Sequence, residues 1–209
     1  MDQNKSRGFW DRFSGVYNLL KPRDTKTYRK IALLIKKRLH PDMEVLEIAA
    51  GTGILSFELA AYCRNWKATD FSGSMVRIIS SRNNRPPNLS IEVQDASDLK
   101  YPDKSFDAVV IANALHIMPD PDKALNEIRR VLRDGGILFA PTYVKSKGLK
   151  QSINNIRMKI LGLNTYFRWS FESYLLFLEQ HRWNVIEKES IRSRSLLAYA
   201  AAKKESIPA

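Results

Sequence analysis

A single cysteine in 209 residues leaves no partner for an internal disulfide and too few thiolates for a cysteine-based zinc cluster. Cys63 ends a helical run, where a small buried packing residue is expected. No apolar run approaches the roughly 18 residues of a membrane-spanning helix, and the opening "MDQNKSRGFW" has none of the apolar region of a secretory signal. The expectation is a soluble, cytoplasmic protein. Internal repeats and low-complexity segments are also missing. Acidic residues are scarce relative to basic ones, 22 against 34, but unevenly so. Residues 1–42 carry 11 Lys/Arg against 4 Asp/Glu, residues 43–144 carry 11 against 13, and residues 145–209 carry 12 against 5. A near-neutral middle between basic flanks points to an anionic partner met by the flanks, or to a well-solvated surface.

What is present is a 44% apolar content, enough for a sizeable core. Phe9, Phe13, Tyr17 and Leu20 recur at helical spacing and give a first helix with an aromatic face. "TKTYRKIALLIKKRLH" is a second, basic amphipathic helix that stops at Pro41. From there strands and helices alternate. "EVLEIA" precedes a helix over 53–63, "KATDF" a helix over 73–83, "LSIEVQ" follows, "FDAVVIAN" precedes a helix over 121–133, and "GILFAPTYV" follows Gly135 and Gly136. Parallel neighbours need a crossover, so this alternation predicts a parallel sheet covered on both faces. Near-continuous apolar strands such as "AVVIA" agree. Beyond residue 145 come a basic, partly helical insertion, the helix "SFESYLLFLEQH", and two β-like runs, "WNVIEKES" and "SLLAYAAAK", suited to antiparallel pairing.

In such a sheet a ligand lies beyond the C-terminal strand ends. "AAGTG" after the first strand is the candidate loop, because Gly51 and Gly53 permit backbone conformations and approaches that a Cβ blocks. Ile54 and Leu55 follow where a P-loop requires Lys-Ser/Thr, and the spacing Ala49-x-Gly51-x-Gly53 is not the dinucleotide G-x-G-x-x-G. Asp70, 19 residues beyond Gly51, ends the second strand, where a carboxylate accepts both hydroxyls of an unphosphorylated ribose. Asp95, beside Ala96, closes the third, where a carboxylate accepts from an adenine amine. With Glu47, these acids stand at three successive strand ends with no basic residue among them to receive phosphate. The plainer reading, turn-forming carboxylates, suits each alone and not their joint placement with the loop. The implied ligand is a nucleoside bearing positive charge.

The stretches "VLEIAAGTG", "ATDFSGSMV" and "VQDASDLKYPDKSFDAVVIANALHIMPDPDKALNEIRRVLRDGGIL" resemble the class I S-adenosylmethionine-dependent methyltransferases. They are most similar to the type 11 small-molecule branch that includes the ubiquinone/menaquinone-biosynthesis C-methyltransferases. The resemblance covers residues 9–144 and, more loosely, the remainder. It implies a Rossmann-like, doubly wound α/β sheet of seven mostly parallel strands in the order 3-2-1-4-5-7-6. It also implies a single domain over 1–209: a helical lid over 1–42, a cofactor-binding core over 43–144, a cap over 145–169, and a C-terminal helix with an antiparallel strand pair over 170–209. The cofactor is expected to be S-adenosyl-L-methionine, with S-adenosyl-L-homocysteine as product. Ala49, Gly51, Thr52 and Gly53 would hold its methionine part, and Glu47 its ammonium group. Asp70 would take the ribose, Phe71 and Met75 would flank the adenine, and Asp95 and the Ala96 N–H would bind its edge. Asn113 and Ala114 would lie near the sulfonium, with Tyr17 closing over it. The family often has glycine where this chain has Ala49, and a backbone compatible with a Cβ is expected there.

Methyl transfer from a sulfonium is an in-line displacement, so alignment and water exclusion count for more than a base. His116 is the one imidazole on the expected substrate side, suited to removing a proton or else to ordering its loop through a hydrogen bond. Neither a metal nor a specific nucleic acid is expected. A small-molecule acceptor comes first. Phospholipid or quinone methylation at an anionic membrane surface is the alternative, and a nucleic-acid-binding protein with a vestigial cofactor site the second, drawn from a pI near 9.8 but without any recognisable nucleic-acid signature. Residues 145–169, with Lys145, Lys147, Lys150, Arg157 and Lys159 among isoleucines and leucine, suit either a cap or a membrane-surface helix.

Overall fold

The computed structural model describes residues 25–145, 165–193 and 195–205. Helix α1 (Thr25–Lys36) leads to strand β1 (Glu44–Ile48), helix α2 (Ile54–Leu59) with a 3-10 turn at Ala60–Tyr62, and strand β2 (Asn65–Asp70). Helix α3 (Gly73–Ser80), strands β3 (Leu89–Val93) and β4 (Phe106–Ile111), and helix α4 (Pro121–Val131) follow. Strands β5 (Leu132–Phe139) and β6 (Thr142–Val144), helix α5 (Phe171–Gln180), and strands β7 (Trp183–Arg192) and β8 (Leu196–Lys204) complete it.

Strands β3, β2, β1, β4 and β5 pair in parallel in that order. Strand β8 enters antiparallel against β5 and β6, and β7 pairs with its other side. The partners Phe139↔Ala201 and Thr142↔Ala198 keep one register, so β5 and β6 are two halves of one interrupted strand. Counted so, the sheet has the expected order 3-2-1-4-5-7-6. The interruption is the difference from the sequence reading, which ran one strand through "GILFAPTYV". Pro141 carries no N–H for the ladder. The Ala140 N–H still donates to the Ala200 carbonyl at 2.9 Å, and the Ala140 carbonyl accepts instead from the Tyr174 hydroxyl of α5 at 2.6 Å.

Side chains alternate across the pleat, and both faces are buried. Leu46, Ile48, Val109 and Ile111 pack on one face against Leu125, Ile128 and Val131 of α4 and Tyr174 and Leu178 of α5. Val45, Ala108 and Val110 pack on the other against Ile31 and Ile35 of α1 and Leu55 and Leu59 of α2. The fourth helix begins where its sequence says. Asp120 caps the Lys123 N–H, and Pro121 stands in the first turn, where its missing N–H costs nothing. It ends earlier than the expected residue 133, because Leu132 is already extended and starts β5 with no intervening loop.

No helix among the described residues is long and apolar enough to cross a membrane. The first aromatic helix, Tyr17, and most of the basic insertion lie outside the described residues.

Tyr174→Phe keeps the buried ring and removes the hydroxyl that donates to the Ala140 carbonyl. It is expected to lower unfolding stability by about 1–3 kcal/mol, because a buried carbonyl loses its partner. Urea denaturation of the two proteins measures this.

Candidate active site

Parallel strands β1, β2, β3 and β4 end on one rim, so the loops that follow them meet there. The first of these, Ala49 to Gly53, is wound through left-handed backbone at Ala49 (φ 54°), Gly51 (φ 60°) and Gly53 (φ 74°). It is clamped by opposite charges. The Gly51 N–H donates to Asp70 Oδ2 at 2.8 Å, and Asp70 Oδ1 accepts from the Ser72 N–H at 2.9 Å. On the carbonyl side, Arg82 Nη1 donates to the oxygens of Thr52 (2.9 Å) and Gly53 (3.0 Å) while its guanidinium lies 3.8 Å over the Phe57 ring. Gly53 serves packing as well as conformation, because a Cβ there would come within 3.1 Å of Ile79.

Beneath this loop Glu47 is 2% exposed. Its Oε2 accepts from the Ser56 hydroxyl at 2.5 Å and the Trp66 Nε1–H at 2.9 Å, two neutral donors. No cation pairs with it among the described residues. Burial pushes its pKa up from 4.5 to about 7, with Ser56 and Trp66 opposing the rise and the Asp70 charge adding to it. Asp95 Oδ1 accepts from the Ser97 N–H (2.9 Å) and hydroxyl (2.7 Å). Past β4, Asn113 also sits in left-handed backbone at φ 57°. Its N–H donates to the Pro141 carbonyl at 2.8 Å, its Nδ2 donates to the Tyr28 hydroxyl of α1 at 3.2 Å, and its buried Oδ1 has no hydrogen-bond partner.

These groups border one cavity of about 560 Å³. Glu47, Ala49, Gly51 and Thr52 line it from the first loop, Asp70, Phe71 and Met75 from the second, Asp95 and Ala96 from the third, and Asn113 and Ala114 from the fourth. The opposite wall is mainly apolar, with Ile117, Met118, Pro119 and Ala124. Among the described residues the lining has four acids, Glu47, Asp70, Asp95 and Asp120, and one basic side chain, Lys123, which is 3.4 Å from Asp120. A cradle for pyrophosphate would need cations or free N–H groups where this one presents carboxylates.

Sequence reasoning placed the rim correctly and missed several of its parts. Of the cofactor candidates, Gly53 alone does not line the cavity; it shapes the loop from behind. His116, read as a candidate base, is also not in the lining. Its Nδ1 is 2.9 Å from the Thr142 hydroxyl, its ring meets Tyr143 edge-on, and its carbonyl accepts from the Tyr166 (3.0 Å) and Phe167 (3.1 Å) N–H groups. These contacts agree with the loop-ordering reading of His116. Tyr17 cannot be placed, being outside the described residues; the aromatic hydroxyl that borders the cavity is Tyr28. Its signal was faint, an aromatic on the buried side of a basic helix. Arg82 gave none, because its partners are main-chain carbonyls. Ala49 carries its Cβ as expected, but in backbone that favours glycine rather than in backbone indifferent to it.

Ala49→Gly is expected to raise stability by up to about 1 kcal/mol, the relief of left-handed strain exceeding the extra chain entropy. A lower melting temperature would contradict this. Glu47 gives a pH test. Its folded pKa lies above its unfolded value, so the folded state binds the extra proton, and stability falls as pH rises from about 4.5 to about 7 and then levels. The difference in stability between the parent chain and Glu47→Gln should change by roughly 3 kcal/mol across that window, to the parent's disadvantage at the upper end. Paired denaturation curves at several pH values measure it.

Comparison with known proteins agrees with this geometry. The family described as "Methyltransferase domain" matches residues 46–140. A ubiquinone/menaquinone biosynthesis C-methyltransferase of Bordetella avium is 39% identical over 109 residues, which are 50% of this chain and 42% of that protein. The chloroplastic 2-methyl-6-phytyl-1,4-hydroquinone methyltransferase of Arabidopsis thaliana is 30% identical over 174 residues, 80% of this chain and 51% of that one. The chain thus spans about half the length of the curated relatives it matches. A Thermotoga maritima structure described as an S-adenosylmethionine-dependent methyltransferase, possible histamine N-methyltransferase, superposes with a TM-score of 0.73 at 18% identity, covering 95% of this chain and 99% of that one, a likeness of fold. Residues 46–140 thus match a methyltransferase family, and over this core the chain is similar to the ubiquinone/menaquinone C-methyltransferases.

Proposed function

We propose that this protein transfers a methyl group from S-adenosyl-L-methionine to a small-molecule acceptor with an apolar body, releasing S-adenosyl-L-homocysteine. The observation that carries the reading is Glu47, a buried carboxylate without a cation at the floor of an acid-lined cavity. The bound sulfonium supplies an activated methyl group. The chain's own residues supply charge, position and dryness.

Glu47 favours a ligand ammonium by Coulomb attraction across a medium that screens poorly. Asp70 already orders the loop through two backbone N–H groups, and a carboxylate at this point of the cavity suits ribose hydroxyls. Asp95, oriented by Ser97, suits an exocyclic amine, and Phe71 and Met75 border the same stretch of cavity. The unpartnered Asn113 Oδ1 is an acceptor awaiting a donor, and the apolar wall of Ile117, Met118 and Pro119 keeps water from the space beside it. Since no histidine lines the cavity, orientation against that wall is the chief contribution to the chemical step. The quinone and hydroquinone names of the relatives favour an acceptor ring of that apolar kind.

Calorimetry with S-adenosylmethionine, its demethylated product, NAD and ATP tests the cofactor, and a screen of acceptor classes by release of S-adenosylhomocysteine tests the transfer. Binding of NAD or ATP with none of the adenosyl sulfonium would defeat the proposal. Asp95→Ala is expected to weaken the cofactor about 10- to 100-fold, the loss of a hydrogen bond to a charged group. Because a cationic ligand favours ionised Glu47, binding near pH 7 should expel part of a proton, and affinity should rise between about pH 6 and pH 8. In Glu47→Gln that slope should vanish.

A further inference from the structure

Helix α1 has a second face that the cavity does not use. Lys26, Arg29, Lys30, Leu33, Lys36 and Lys37 are all exposed. At about 100° per residue the five within the helix fall within roughly 120° of arc, opposite the buried Ile31 and Ile35, and Lys37 follows directly after the last helical residue. The helix contains no acidic residue. Lys30 pairs with Glu189 at 3.0 Å. Lys26, Arg29, Lys36 and Lys37 form no ion pair among the described residues. In the middle of this cationic stripe Leu33 is 51% exposed, and beside it Tyr62 is 39% exposed with the Lys36 ammonium 3.9 Å over its ring.

We propose that this face, the stripe of α1 with Leu33 and Tyr62, is a docking surface for an anionic lipid bilayer. Two chemistries are combined in it. The unpaired cations attract a negative surface, and an exposed leucine and tyrosine at the centre of the stripe offer an apolar body and an amphipathic ring to the headgroup boundary. A phosphate backbone would use the cations and leave Leu33 without a role. The same helix carries Tyr28 to the cavity wall, so a docked α1 holds the cavity beside the bilayer. An apolar acceptor dissolved in the lipid then has a short path to it. The inference goes beyond methyl transfer and is read by binding alone, so its failure and that of the catalytic proposal are distinguishable.

The test is co-sedimentation of the full chain with vesicles of phosphatidylcholine alone and of phosphatidylcholine and phosphatidylglycerol in equal parts. Binding is expected only to the anionic vesicles, and is expected to weaken with salt. Neutralising Lys26, Arg29, Lys36 and Lys37 together to glutamine should reduce partitioning by at least about a hundredfold, at about fivefold per cation. Leu33→Asp alone should reduce it by about tenfold. Circular dichroism and retained S-adenosylhomocysteine binding verify that the variants are folded. The proposal is overturned if the parent chain ignores anionic vesicles, if the fourfold variant binds them as the parent does, or if Leu33→Asp leaves partitioning unchanged. It is equally overturned if duplex RNA at the same salt displaces the vesicles from the parent chain.

Discussion

An ionisable group buried without a counter-charge is the constraint around which this site is built. Glu47 closes β1 in the centre of the sheet, where both faces are covered, and its two donors, Ser56 and Trp66, are neutral. They orient the carboxylate and relieve part of its desolvation without cancelling its charge. Asp70, the nearest acid in the mechanism of the loop, adds repulsion rather than relief. Burial therefore favours the protonated form of the group in the folded chain. On the proposed reading a cationic ligand is the other half of the interaction, and among the described residues no cation stands beside Glu47 to receive phosphate.

The wall facing that rim depends on a defect in the sheet. Pro141 cannot continue the ladder between β5 and β6, and neighbours bond to the chain there: the Ala140 carbonyl accepts from the Tyr174 hydroxyl, the Pro141 carbonyl accepts from the Asn113 N–H, and the Thr142 hydroxyl meets the His116 ring. Two of those three fix the loop after β4, from which Asn113, Ala114, Ile117 and Met118 border the cavity. His116 then ties the same loop to Tyr166 and Phe167 through its carbonyl. An interruption in one strand thus becomes the mould for the turn at the end of another, and Asn113 is held in left-handed backbone by bonds on both its main chain and its side chain.

This division explains what the sequence made legible. Apolar periodicity and the stop at Pro41 located the elements, and the strand-end acids located the rim, because each rests on local spacing. The positions Glu47, Asp70 and Asp95 converge only because parallel strands deliver their C-termini together, which the alternation of strand and helix already required. What stayed hidden depends on contacts distant in the chain. Arg82 holds the loop 29 and 30 residues before it through carbonyls that have no sequence signature. Tyr28 meets Asn113 across 85 residues. For His116 the position after β4 was visible, but the partner of its ring, Thr142, 26 residues on, was not.

The formal charge of +12 and an acid-lined cavity are compatible because they occupy different dielectric environments. The α1 cations stand in solvent, where their fields fade over a Debye length of about 8 Å, less than the roughly 10 Å diameter of the helix that separates them from the sheet. Glu47 and Asp70 act inside, at short range and with little screening. Charge summed over the chain therefore says little about the ligand in the cavity and much about the surfaces the chain meets from outside. A site selective for a cation can sit behind a helix whose outer face selects for anions, provided, as here, that the two faces of α1 present different side chains to different media.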